Sequence, residues 1–139
     1  MFEHYFTLEE AARLLPMVRR VFEETHEELK NVQDDIVLSQ RILLTRKREG
    51  QEPPAEAVAL LERKISHYEK RLEHWLSQLT DRGILVKDVS RGLIDFPYRA
   101  ADGSEYLLCW ELADDDSLLY FHGLEEGYRG RRPITLLPD

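Results

Sequence analysis

The sequence predicts an α+β fold: a long antiparallel, coiled-coil-like helical hairpin with a short N-terminal helix, followed by a small, mostly antiparallel β-sheet. Three observations predict it. Apolar residues step by three and four along two long segments between Pro16 and Arg82. Gly50 with Pro53-Pro54, and then Gly83, interrupt those segments where helices must stop. Beyond Gly83, short β-branched and aromatic runs alternate with turn residues. A chain of 139 residues supports one core, so residues 1–139 are read as a single domain with a helical subregion, 1–82, and a β-rich subregion, 83–139.

The elements follow in order. Thr7-Leu8-Glu9-Glu10 has the form of a capping box and opens a short helix to about Leu15. Pro16 disfavours helical geometry at Leu15, so a bend is expected there, with Pro16 starting the next helix. Val18, Phe22, Thr25, Leu29, Val32, Ile36, Ser39 and Leu43 form the seam of that helix, which runs to Arg48. Val58, Leu61, Ile65, Tyr68, Leu72, Trp75 and Leu79 form the seam of its partner, Pro54–Arg82. The short linker makes the two antiparallel, with arms of about 50 and 40 Å. Val37, Leu38, Ile42, Leu44 and Leu60 fall off the seam near the hairpin tip. Two helices alone leave them in water, so the tip is expected to pack on another copy, as a homodimer through Leu38, Ile42, Leu44 and Leu60, with an unidentified protein partner as the alternative.

In the second half, strands are expected at Ile84–Asp88, Leu93–Phe96, Glu105–Leu112 and Ser117–His122, connected as a meander. Asp102-Gly103 reads as a two-residue hairpin turn. A four-residue loop at 113–116 places Glu111 opposite Leu118, Cys109 opposite Tyr120 and Leu107 opposite His122. Leu108, Trp110, Leu112, Leu119 and Phe121 then share the other face, which is expected to pack on the base of the hairpin near Phe22 and Leu79. Phe2, Tyr5 and Phe6 are expected to close that core.

Charge and composition exclude several function classes. There are 19 Lys/Arg against 27 Asp/Glu, and residues 83–139 contribute −5 of the net −8. An acidic surface repels phosphate backbones and anionic lipid, so neither nucleic acid nor membrane is an expected partner. The single cysteine, Cys109, forms no internal disulfide, and the sequence opens without a signal-like apolar region. No apolar run reaches the roughly 18–20 residues that span a bilayer. A cytoplasmic setting is therefore expected.

Taken together, Phe6-Thr7 with Glu10-Ala11 and Leu15-Pro16, Lys87-Asp88, Gly92-Leu93-Ile94-Asp95-Phe96, Leu108-Cys109-Trp110, and His122 with Gly127-Tyr128 and Gly130-Arg131 resemble a prokaryotic family, domain of unknown function 2203. The resemblance runs in order over nearly the whole chain. Phe121, where Trp or Tyr is usual, and the Ala113–Asp116 run, where a Gly-Glu turn is usual, depart from it. It implies a protein type and a cytoplasmic setting, and no reaction or cofactor.

His122 with Glu125, Glu126 and the Gly127–Arg131 segment is the main candidate for chemistry. A strand-end histidine followed by carboxylates and a Gly-rich basic loop suits a metal or an anion, giving His122, Glu126 and Arg131 as candidate ligand-binding residues. Asp95, Cys109 and Glu111 are further possible donors. With Asp102-Gly103 as a two-residue turn, however, Asp95 pairs with Trp110 and falls on the face opposite His122. Glu111 lies about 13 Å along the strand. On that register no metal set assembles. Cys109 reads as a packed hydrophobe, and Ser90, Ser104 and Ser117 lack any triad context. One arginine of the Arg129, Arg131 and Arg132 cluster is expected to pair internally, for example with Asp88 or Asp95, rather than to hold a phosphate or carboxylate. The preferred function is an interaction or scaffold module self-associating through the hairpin. The alternative is a ligand- or metal-binding protein, with catalysis left open, centred on His122, Glu126 and Arg131.

Overall fold

A computed structural model describes residues 2–118 and 120–139. Helix α1 spans Leu8–Arg48 and helix α2 spans Ala55–Thr80. Five strands follow: β1 Leu85–Asp88, β2 Leu93–Arg99, β3 Glu105–Trp110, β4 Tyr120–Gly123 and β5 Arg132–Pro133. They form one antiparallel meander in the order β1-β2-β3-β4-β5. The fold is α+β, as the sequence predicts. The short fifth strand is an addition; its proline is tolerated because it sits on the sheet edge.

Thr7 caps α1, its Oγ1 accepting from the Glu10 amide at 3.1 Å. The expected break at Pro16 does not occur, and α1 continues through it. Proline forfeits one backbone hydrogen bond, but Ala11, Leu15, Val18 and Phe22 on both sides of it are all fully buried. A single uninterrupted stripe keeps all four in the core, and that burial outweighs the lost bond.

The chain divides into two compact units. Glu24–Leu76 forms one, made of the distal parts of both helices. Thr25, Leu29, Ile36 and Leu76 are its buried residues. Arg71–Glu28 at 3.0 Å and Lys64–Asp35 at 2.9 Å tie its helices in antiparallel register. The other unit combines the residues up to Glu23 with Ser77–Asp139.

In this second unit Ile94, Phe96, Leu108, Trp110 and Phe121 lie on one face of the sheet and are fully buried, as are Phe22 and Leu79. The Arg19 guanidinium stands 5.1 Å from the Trp110 ring and binds the carbonyls of Leu112 and Asp114, fixing the first turns of α1 to this face. Phe6 meets Phe96 edge-on at 5.1 Å and donates its amide to the Pro97 carbonyl. Leu119, expected on this apolar face, lies outside the described residues.

The β3–β4 register is the one expected, with Leu107 opposite His122 and Cys109 opposite Tyr120. The β2–β3 register is not. Asp95 pairs with Cys109 rather than Trp110. The turn holds three residues, Ala101–Gly103: the Ala100 amide donates to the Ser104 carbonyl at 2.8 Å, and the Gly103 amide donates back to Ala100. Gly103 supplies the left-handed residue that such a loop requires, at φ 91°. One added residue moves every β2 side chain to the other face. Asp95 is thereby carried to the face of His122.

Gly92, at φ 62°, is another residue in the left-handed region. A Cβ there would stand 2.4 Å from Leu112 Cγ. Gly92→Ala is expected to destabilise the protein by about 1–3 kcal/mol, measured by urea unfolding, from overpacking and backbone strain together.

Candidate functional site

The face of the sheet turned away from α1 carries Leu93, Asp95, Leu107, Cys109 and His122. Asp95, Cys109 and His122 are each no more than 3% exposed. Their donor atoms (a carboxylate oxygen, Sγ and a ring nitrogen) all lie within 4.8 Å of one another. Asp95 on β2 lies directly opposite Cys109 on β3, and His122 on β4, opposite Leu107, lies diagonal to Cys109 on the same face, so strand pairing sets their spacing.

His122 is fixed at both nitrogens. Nδ1 donates to the Gly123 carbonyl at 2.7 Å, and Nε2 donates to Asp95 Oδ1 at 3.1 Å. Burial opposes protonation of the ring, but hydrogen bonds to Asp95, Cys109 and the Gly123 carbonyl outweigh it, and the pKa is pushed up to about 10. At neutral pH His122 is an imidazolium paired with the Asp95 carboxylate.

A cavity of about 240 Å³ opens on this trio, bounded also by Lys87, Leu93, Leu107, Leu124, Gly127 and Tyr128. Its cover is the segment after β4. The Tyr128 ring lies 4.2 Å from the Arg91 guanidinium and 4.4 Å from that of Arg131. Each arginine is itself anchored, Arg91 to Glu111 at 2.7 Å and Arg131 to Asp114 at 2.8 Å. Arg131 also stacks on Tyr120 at 3.8 Å and brings Nη1 to 3.9 Å from Cys109 Sγ.

Of the three ligand residues expected from sequence, only His122 faces the cavity. Glu126 accepts from the Gly123 amide at 2.8 Å and from Arg132 at 2.9 Å, holding the turn after β4 in shape. An arginine of the cluster pairs internally, as expected: Arg131, with Asp114 rather than Asp88 or Asp95. Asp88 is taken up by Ser90 and the Arg91 amide, and Asp95 by His122. Glu111 stays out of the trio and pairs with Arg91. Asp95, which the expected register places on the opposite face, and Cys109, which reads as a packed hydrophobe, complete the group instead. The expected separation of Asp95 from the face of Cys109 and His122 is overturned by the three-residue turn.

The arrangement does not suit a cysteine nucleophile. Such a triad needs the imidazole between thiol and acid, one nitrogen for each. Here the main-chain carbonyl of Gly123 holds Nδ1, and Nε2 faces Asp95. An Nδ1–H bound to a backbone carbonyl is instead the usual way to orient a histidine that ligates a metal through Nε2.

A family described as "Uncharacterized conserved protein (DUF2203)" matches residues 4–134. The chain belongs to this family. Membership covers both helices and all five strands, and it names no activity. Searches of curated proteins and of solved structures find no match. Among the described residues no helix is long and apolar enough to cross a membrane.

Proposed function

We propose that this DUF2203 protein binds a zinc-class divalent cation through Asp95, Cys109 and His122. The observation that carries the reading is the convergence of three buried O, S and N donors within 4.8 Å. Ligands of a tetrahedral zinc are separated by about 3.3–3.8 Å, so small side-chain adjustments complete the set. The metal displaces the His122 Nε2 proton and the Cys109 thiol proton to solvent as it binds. Mixed thiolate, imidazole and carboxylate donors suit zinc, whereas calcium and magnesium prefer oxygen alone. Three protein ligands leave a fourth position, and the cavity lies beside it. Arg131, close to Cys109 Sγ, would donate to the metal-bound sulfur.

Cobalt(II) substitution tests this. The wild type is expected to give a near-ultraviolet thiolate-to-cobalt band that Cys109→Ser abolishes and Glu126→Gln retains. Cobalt uptake without that band, or no uptake, would refute thiolate ligation at this site.

A second reading has its own support in the unit Glu24–Leu76. Leu38, Ile42, Leu44 and Leu60 are 58%, 51%, 54% and 46% exposed. A shallow groove of about 150 Å³ between Ile42, Leu43, Leu60 and Leu61 adjoins them. Such a surface supports self-association through the hairpin as a homodimer, the scaffold role expected from sequence. Light scattering is expected to give twice the mass of one chain at micromolar concentration, falling to one chain with Leu38→Glu and Ile42→Glu combined. A wild-type mass of one chain would end this reading.

A further inference from the structure

We infer that the cavity beside Asp95, Cys109 and His122 admits a small monocarboxylate with a short alkyl tail, bound at the fourth metal position. The inference rests on the metal reading above and deepens it. Charge comes first. A divalent cation with one carboxylate, one thiolate and a neutral imidazole is a neutral centre. Lys87 lines the cavity and carries a positive charge beside that centre, whereas the charge of Arg131 is taken up by Asp114. An anion is favoured there over a neutral ligand.

The position of Lys87 points the same way. The β1–β2 register shifts between Val86 and Asp88, so Lys87 sits in a bulge. Bulges re-aim a side chain, and this one brings Lys87 into the lining of the cavity. The rest of the wall is apolar: Leu93, Leu107 and Leu124. Lys87, itself exposed, and the proposed metal position border the same cavity as these leucines, which is the complement of an acid group carrying a short hydrocarbon chain. At about 240 Å³ the space is below the roughly 300–1,000 Å³ typical of drug-sized ligands, so the tail is short.

The test is titration of the cobalt(II)-loaded full-length protein with acetate and with hexanoate, following the visible cobalt spectrum. Hexanoate is expected to change the spectrum saturably and to bind at least about tenfold more tightly than acetate, because its methylenes reach the leucines. Lys87→Ala is expected to weaken hexanoate by about tenfold while leaving cobalt affinity unchanged. A cobalt spectrum that hexanoate does not alter overturns the inference and leaves the metal reading standing. So does equal binding of the two acids, or a Lys87→Ala variant that binds hexanoate as the wild type does. Failure to load cobalt at all overturns the metal reading, and this inference with it.

Discussion

Asp95→Asn is expected to lower the stability of the metal-free protein by about 3–5 kcal/mol at neutral pH, because it leaves a buried imidazolium without its counter-charge. The pH dependence gives the effect its signature. His122 holds its proton up to about pH 10 in the folded chain, against 6.5 ordinarily, so the native state binds that proton more tightly than the unfolded state does. The stability this supplies is fully present below about pH 6.5 and is lost as pH rises through about 10. Its size is on the order of 4 kcal/mol. Urea unfolding in the presence of a chelator, repeated across pH 6–10.5, measures it. The wild type should lose stability over that range, and Asp95→Asn should lose much less. Parallel curves for the two proteins would mean that the pair is not ionised as described.

The second large effect concerns metal affinity. His122→Ala removes one of three donors, and the imidazole is also the group oriented by the Gly123 carbonyl. Even loss of an outer hydrogen-bond partner typically costs 10–100-fold in metal affinity, so loss of the ligand itself is expected to cost more than about 100-fold. Competition of the protein with a chromophoric zinc chelator reads this directly. Glu126→Gln, which alters the turn after β4 but not the trio, is expected to change zinc affinity little. Equal losses in the two variants would place the metal elsewhere.

Much of the fold was legible from residue spacing alone. The two helical seams, their caps and their glycine stops are local signals, and the strands of a meander pair with their sequence neighbours. Pro16 was misleading because its cost is local, whereas the buried stripe of Ala11, Leu15, Val18 and Phe22 that overrides it depends on tertiary packing. The site was half legible. His122 stood out as a strand-end histidine, and its pairing with Leu107 followed from the loop length between β3 and β4.

Asp95 was lost through one residue in one turn. Ala101-Asp102-Gly103 supports either a two- or a three-residue hairpin, and the choice decides which face β2 turns to the core. A signal that separates them is present in the sequence. The two-residue turn puts Asp95 among Trp110 and Leu108 and turns Ile94 and Phe96 outward. The three-residue turn matches Ile94 with Trp110 and Phe96 with Leu108. Matching apolar residues across the strands, rather than choosing the commoner turn, selects the observed register. Cys109 was already on the face of His122 in the expected β3–β4 register, and only its reading as a packed hydrophobe kept it out of the site. Glu126 and Arg131 are a different case. Their proximity to His122 in sequence is real, but partners distant in sequence or set by the turn after β4 (Asp114, Arg132 and the Gly123 amide) claim them.

Native mass spectrometry of the full-length protein after exposure to zinc and removal of the excess bears most directly on Asp95, Cys109 and His122. One zinc per chain in the wild type, and none in His122→Ala under the same conditions, is the expected result. A wild-type protein that retains no zinc, or a His122→Ala variant that retains as much, would contradict a metal centre at these three residues.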